Sequence, residues 1–168
     1  IKTPLGSGSG VVIDPSGVIV TNLHVMRGSS QASVRLESGD VYDDVSVVDV
    51  DERKDIVLLK IKAFGLPAAT LGNSDKVQPA DPVVLISSPR GLELTVTEGV
   101  VSAVRDSGEG YRLIQTSAAA SPVPVVRSVI FNSVGRVEGI FTSGFGTGTR
   151  VGRVTSLLVG AAESPVVT

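Results

Sequence analysis

The chain of 168 residues holds a single histidine, His24, and no cysteine. An imidazole suits general-base work near neutral pH because its unperturbed pKa is about 6.5. A histidine taken alone is more often structural or a surface residue, so a catalytic reading needs a second group. That group is a carboxylate, which fixes the imidazole tautomer and stabilises the imidazolium. Asp55 is the candidate. It opens the apolar run Ile56-Val-Leu-Leu-Lys-Ile61, where a charge needs either a role or a turn. The plainer alternative makes Asp55 the polar end of the charged turn Asp51-Glu-Arg-Lys54.

Other chemistry is thin. Gly6-Ser-Gly-Ser-Gly10 lacks the Gly-Lys-Ser/Thr ending of a phosphate loop and no helical pattern follows, so it reads as a flexible lead into a strand. Asp43, Asp44, Asp49, Asp51 and Glu52 do not have calcium-loop spacing and read as a solvated strand face. One histidine without cysteine argues against a zinc site, and the expectation for metals and cofactors is none. Net charge is −2 with a pI near 5.4, so no basic footprint for nucleic acid exists. No apolar run approaches the ~18 residues of a membrane span. Ile1-Lys-Thr-Pro4 reads as a trimmed start with no signal peptide before it.

These groups need a scaffold, and the composition points to strands. Hydrophobic residues make up 42% of the chain, only 4% are aromatic, and glycine occurs 19 times. Valine-rich sequence punctuated by glycine favours β structure. Val11–Ile13 and Val18–Val20 flank Asp14-Pro-Ser-Gly17, a tight turn with proline early and glycine late. Val34 and Leu36 alternate with Ser33 and Arg35, Val41–Val50 reads as one long strand, and Asp55–Ile61 as another. Pro67, Gly72, Asn73, Pro79 and Pro82 break up the next stretch. Strands resume at Val83–Ile86, Leu92–Val104, Tyr111–Thr116, Val125–Phe131, Val137–Thr142 and Thr149–Leu158, with a helical hint at Ser156–Ala162. Short strands at this spacing predict an all-β sandwich or barrel protein. The expected division is a first barrel over 1–66, a link over 67–82, a second barrel over 83–158 and a tail over 159–168.

Gly8-Ser-Gly-Val-Val-Ile-Asp-Pro-Ser-Gly-Val-Ile-Val-Thr-Asn-Leu-His-Val25 resembles the histidine segment of HtrA/Deg-type serine proteases. Asp55–Ile61 resembles the family's aspartate strand, and Leu71-Gly-Asn-Ser-Asp-Lys76 and Thr95-Val-Thr-Glu-Gly-Val-Val-Ser-Ala103 its next segments. Ile114-Gln-Thr-Ser-Ala-Ala119 resembles the approach to the nucleophile, and Phe131–Ile140 the hairpin after it. Order and spacing hold from about residue 6 to 120. The resemblance implies two perpendicular antiparallel six-stranded β-barrels in the trypsin-like fold, with the active site between them. It implies His24 as general base and Asp55 as the carboxylate that orients it.

The nucleophile segment departs from that pattern. Where the family has Gly-x-Ser-Gly after Ser-Pro, this chain reads Val123-Pro-Val-Val-Arg-Ser-Val129. Counting from Thr116 places the nucleophile position on Val125; counting back from the downstream hairpin places it on Val126. Neither can attack a carbonyl. Ser128 lies three positions late and reads more simply as a strand serine, while Ser121 lies about four early and precedes proline. No glycine occurs between Gly110 and Gly135, and Pro124 has no N–H to offer an oxyanion. Three explanations stand: a non-catalytic member of the family, a serine supplied by a rearranged loop, or a local error in the sequence of 121–130.

The resemblance implies a serine endopeptidase acting on extended or unfolded polypeptides. Substrate would add as a strand near Gly139–Gly144, with an oxyanion region at Val123 and a pocket wall at Ala118, Ala119 and Ala120. The alternative is a catalytically inactive peptide-binding module on the same fold, and a wholly structural role is a third reading. The family's trimers form through N-terminal aromatics, but no aromatic precedes Tyr42. The resemblance implies a homo-oligomer, a trimer in the family, and these residues lack the aromatics that would build it. A PDZ domain, common in the family, would lie beyond these residues. The family's location is periplasmic or otherwise extracytoplasmic.

Overall fold

The computed structural model describes residues 1–87, 95–106, 108, 110–118, 128–145 and 148–152. At residues 87, 95, 128–131, 138–145 and 148–152 only the backbone is described. The protein is built of strands, and the all-β expectation holds. Two short strands, β1 (Lys2–Thr3) and β2 (Gly6–Ser7), form an antiparallel ribbon. They precede β3 (Gly10–Asp14), β4 (Val18–Asn22) and the four-residue helix α1 (Leu23–Met26). Next come β5 (Val34–Arg35), β6 (Val41–Tyr42), β7 (Val45–Asp51) and β8 (Ile56–Ile61). The second half contributes β9 (Pro82–Ser87), β10 (Thr95–Asp106), β11 (Arg112–Thr116), β12 (Ser128–Asn132), β13 (Val137–Phe145) and β14 (Gly148–Gly152).

In the first half, β3, β4, β8 and β7 make a four-stranded antiparallel sheet, with β5 and β6 pairing separately. Strand β8 lies between β4 and β7 and is buried on both faces, which is why its sequence is an apolar run rather than an alternation. Its pleat still divides it. Ile56 and Leu58 join Val20 in one cluster, while Val57, Leu59 and Ile61 join Ile19, Val34 and Ala63 in another. The second half closes into a barrel in the order β10-β11-β14-β13-β12-β9, with β9 returning to β10. Its core holds Val77, Val83, Leu85, Val101, Ile114 and Ala118.

Two local expectations change. Val41–Val50 is not one strand: it divides into β6 and β7 because β6 pairs with β5 while β7 pairs with β8, and the chain bends at Asp43-Asp44 to serve both partners. The glycine-rich start is not a loose lead. The Gly8 amide donates to the Ile1 carbonyl at 2.7 Å, the Ile1 amino group donates to the Gly8 carbonyl at 2.7 Å, and the Thr21 hydroxyl donates to the Ser9 carbonyl at 2.6 Å. Between β8 and β9 the chain runs in turns, and Leu71 bridges in parallel to Val137. The helical hint at Ser156–Ala162 lies outside the described residues. No helix among the described residues is long and apolar enough to cross a membrane.

Candidate active site

His24 and Asp55 lie 31 positions apart in sequence, and the pairing of β4 with β8 brings them together. Asn22 at the end of β4 faces Ile56 at the start of β8, so the residues just beyond this register pair meet at one end of the sheet. His24 Nδ1 is 2.5 Å from Asp55 Oδ2. A carboxylate can only accept, so Nδ1 carries the shared proton and Nε2 presents the basic lone pair. The His24 side chain is 41% exposed and that of Asp55 25%, as a base that must reach a substrate requires.

Asp55 is held from several sides. The His24 backbone amide donates to Oδ1 at 2.8 Å, and the Leu23 amide donates to the Asp55 carbonyl at 3.0 Å. Asn22, wholly buried, donates from Nδ2 to Oδ2 at 3.2 Å and to the carbonyl at 3.3 Å. The backbone of Asp55 is left-handed, at φ 56°, a conformation that aspartate tolerates better than most residues but that still needs support. The turn before it supplies some. The Asp51 carboxylate accepts the Lys54 amide at 3.1 Å and pairs with its ammonium at 2.9 Å, both side chains being largely buried. Partial burial pushes the Asp51 carboxyl up, but the Lys54 hydrogen bonds and the charges of Lys54 and Arg53 outweigh it and hold the carboxyl below its ordinary value.

The approach to the nucleophile segment is equally fixed. The Thr116 hydroxyl donates to the Val100 carbonyl at 3.0 Å and accepts the Ala118 amide at 3.0 Å. The Ser117 hydroxyl accepts the Val100 amide at 3.0 Å, and the Ser117 amide donates to the Val100 carbonyl at 2.9 Å. That hydroxyl is therefore committed to the strand. A methyl added at Gly99 would stand 2.3 Å from the Ala118 nitrogen, so only glycine lets β10 come this close. Ala118 is buried. Ala119, Ala120, Ser121, Val123, Val125 and Val126 lie outside the described residues. Ser128 is the first residue of β12, in register with Ser87 of β9. Sequence reasoning missed Asn22 and Gly99. Both stood inside quoted motifs, but their roles depend on contacts across strands. Among the described residues no cluster of three or more His, Cys, Asp and Glu could hold a metal. A groove of about 250 Å³ lined by Asn73, Lys76, Asp81 and Ser133 among others contains neither His24 nor Asp55.

Comparison with known proteins places the chain in a family. The family model described as trypsin-like peptidase domain matches residues 8–140. The chain belongs to this family, on its HtrA/Deg branch. It is 42% identical over 109 residues to serine protease HTRA1 of Xenopus laevis, covering 64% of this chain and 24% of that one. It is 40% identical over 136 residues to a Marinomonas protein named as a probable periplasmic serine endoprotease, DegP-like, covering 79% of this chain and 29% of that one. The chain thus spans about a quarter to a third of these relatives. Among solved structures it is similar to the HtrA-type protease AlgW with decapeptide, at TM-score 0.80 and 31% identity over 91% of this chain and 50% of that chain.

Proposed function

We propose that this domain is a serine endopeptidase unit of HtrA/Deg type that acts on extended polypeptides. The observation that carries the reading is the His24–Asp55 contact, which leaves Nε2 as the basic nitrogen on a half-exposed ring. In the cycle, His24 takes the proton of a serine hydroxyl as that oxygen attacks the scissile carbonyl. Asp55 steadies the imidazolium, and the proton passes to the leaving amine. Water then releases the acyl group by the same base. Val125, Val126 and Pro124 cannot perform the first step; on this reading a serine supplied by a rearranged loop does, with Ser128 as the substitute candidate, and Val123, Ala119 and Ala120 line the oxyanion and pocket region.

The backbone of β13 supports the substrate class. Residues 141–145 pair with β14 on one edge, whereas β12 pairs only with residues 137–140. Among the described residues no strand covers the other edge of 141–145, so an extended peptide can add there by main-chain hydrogen bonds. Solved structures of the HtrA-type protease AlgW, to which the chain is similar, hold a decapeptide or a tripeptide. The division into barrels over 1–66 and 83–158 with a link over 67–82, and an extracytoplasmic location like that named for the Marinomonas relative, belong to the same reading.

A second reading has its own observation. Valine at 125 and 126 without a neighbouring glycine favours a peptide-binding module that turns nothing over. Intact-mass measurement before and after a fluorophosphonate probe separates the two. A single adduct mapping to 117–132 supports the endopeptidase and identifies its serine. An unmodified mass equal to that of this sequence sinks it in favour of the binding module.

A further inference from the structure

Asp55 is the most constrained residue of the site, and its constraints come from two directions. From below, Asn22 at the end of β4 donates one amide group to both the carboxylate and the carbonyl of Asp55, at 3.2 and 3.3 Å. It does so from a fully buried position. From the side, the turn Asp51–Lys54 is clasped at both ends of Lys54, since the same carboxylate takes the backbone amide at 3.1 Å and the ammonium at 2.9 Å. The backbone hydrogen bond that would otherwise close this turn, from the Asp55 amide to the Glu52 carbonyl, is long at 3.4 Å. The side-chain clasp therefore does what the backbone does weakly.

Immediately after the clasp the chain enters the left-handed conformation at Asp55. Left-handed backbone is unfavourable for an L residue and persists only where the surroundings determine it. If residue 55 relaxed to an extended conformation, its Cβ would swing away and the carboxylate would leave His24. We propose that Asn22 and the Asp51–Lys54 ion pair are positioning residues, which together hold Asp55 in the left-handed conformation that aims Oδ2 at His24 Nδ1. Asn22 fixes where the carboxylate ends, and the ion pair fixes the backbone from which it starts. Neither touches substrate. The inference rests on the reading of His24–Asp55 as the acid–base pair of the site.

The chain offers a direct readout, because His24 is its one histidine and its ring protons are unambiguous. In the intact protein, proton NMR should show a far-downfield resonance for the hydrogen-bonded Nδ1 proton. Lys54→Gln and Asn22→Ala should each abolish it or shift it well upfield while circular dichroism and a cooperative melt show a folded chain. Lys54→Arg, which keeps the ion pair, should retain it. If the unlabelled protein turns peptides over, the first two variants should lower kcat on the order of 10²-fold with KM little changed, as misplacement of a catalytic group does. Retention of the resonance in folded Lys54→Gln and Asn22→Ala would overturn the proposal. Its absence from the unsubstituted protein would overturn both the proposal and the pairing beneath it. A resonance that behaves as expected in a protein taking no probe would uphold the positioning role and remove only the endopeptidase reading.

Discussion

A carboxylate accepts and never donates while ionised, and at residue 55 every neighbour obliges. The His24 ring, the His24 amide and the Asn22 amide all point donors at it. Replacing Asp55 with asparagine substitutes an amide for one acceptor oxygen and allows the imidazole its other tautomer. In an active form of the chain, Asp55→Asn should lower kcat by about 10⁴-fold with the fold intact, measured by peptide turnover beside circular dichroism. Asp51 gives a pH dependence. Its carboxyl is held below the ordinary range by Lys54 and Arg53 against the pull of burial. The folded form thus binds this proton less readily than the unfolded form. The stabilisation is complete above the usual carboxylate value of about 3.9 and is lost as pH falls through the depressed one. Asp51→Asn should be less stable than the parent at neutral pH in urea titrations, with the gap closing as pH drops below about 4. An equal gap at both ends of that range would contradict the assignment.

The strands carry these residues, and glycine decides how closely they approach. Gly99→Ala would drive a methyl into the Ala118 backbone at 2.3 Å, where no flexible side chain can yield. The expected result is a loss of about 1–3 kcal/mol in denaturant stability and, where turnover exists, of activity beyond what stability explains. Gly17 closes the turn between β3 and β4 at φ 97°, with the Ile61 carbonyl 2.6 Å from where a Cβ would stand. That turn was legible, since proline early and glycine late state its geometry in the sequence. So was β8, because an apolar run is a local signal; the contact of His24 with Asp55 was not, since the residues alone left Asp55 open between a partner for His24 and the end of a turn, and only the resemblance paired them. The break at Asp43-Asp44 was not, since it arises from two partner strands that no local pattern names. Asn22 was hidden for the same reason: its importance lies in Asp55, 33 positions away. The acidic cluster was read as a solvated strand face with occasional cation contact; Asp44 meets Lys62 in the open, whereas Asp51 turns inward to Lys54.

At the scale of the molecule, the two halves share a residue. Val137 at the start of β13 is fully buried in the cluster of Val20, Ile56 and Leu58, and its backbone binds the linker through Thr70 and Gly72. The halves should therefore unfold together. Calorimetry on the chain should show one transition, and Val137→Ala should cost about 2 kcal/mol and broaden it. Two transitions in the parent would show that the contact does not couple them. One further consequence concerns the segment from 119 to 127. Its upstream post is tied to Val100 of β10 by three hydrogen bonds through Thr116 and Ser117, and the Ala118 amide donates back to the Thr116 hydroxyl. Its downstream post, β12, is laced to β9 and β13. Both posts are held by contacts among the described residues outside that interval. Such a segment is a cartridge: it can be exchanged for that of a relative without recutting the socket. In evolutionary terms, a chain built this way can change what stands between the posts by altering a handful of adjacent codons, while His24 and Asp55 stay in register.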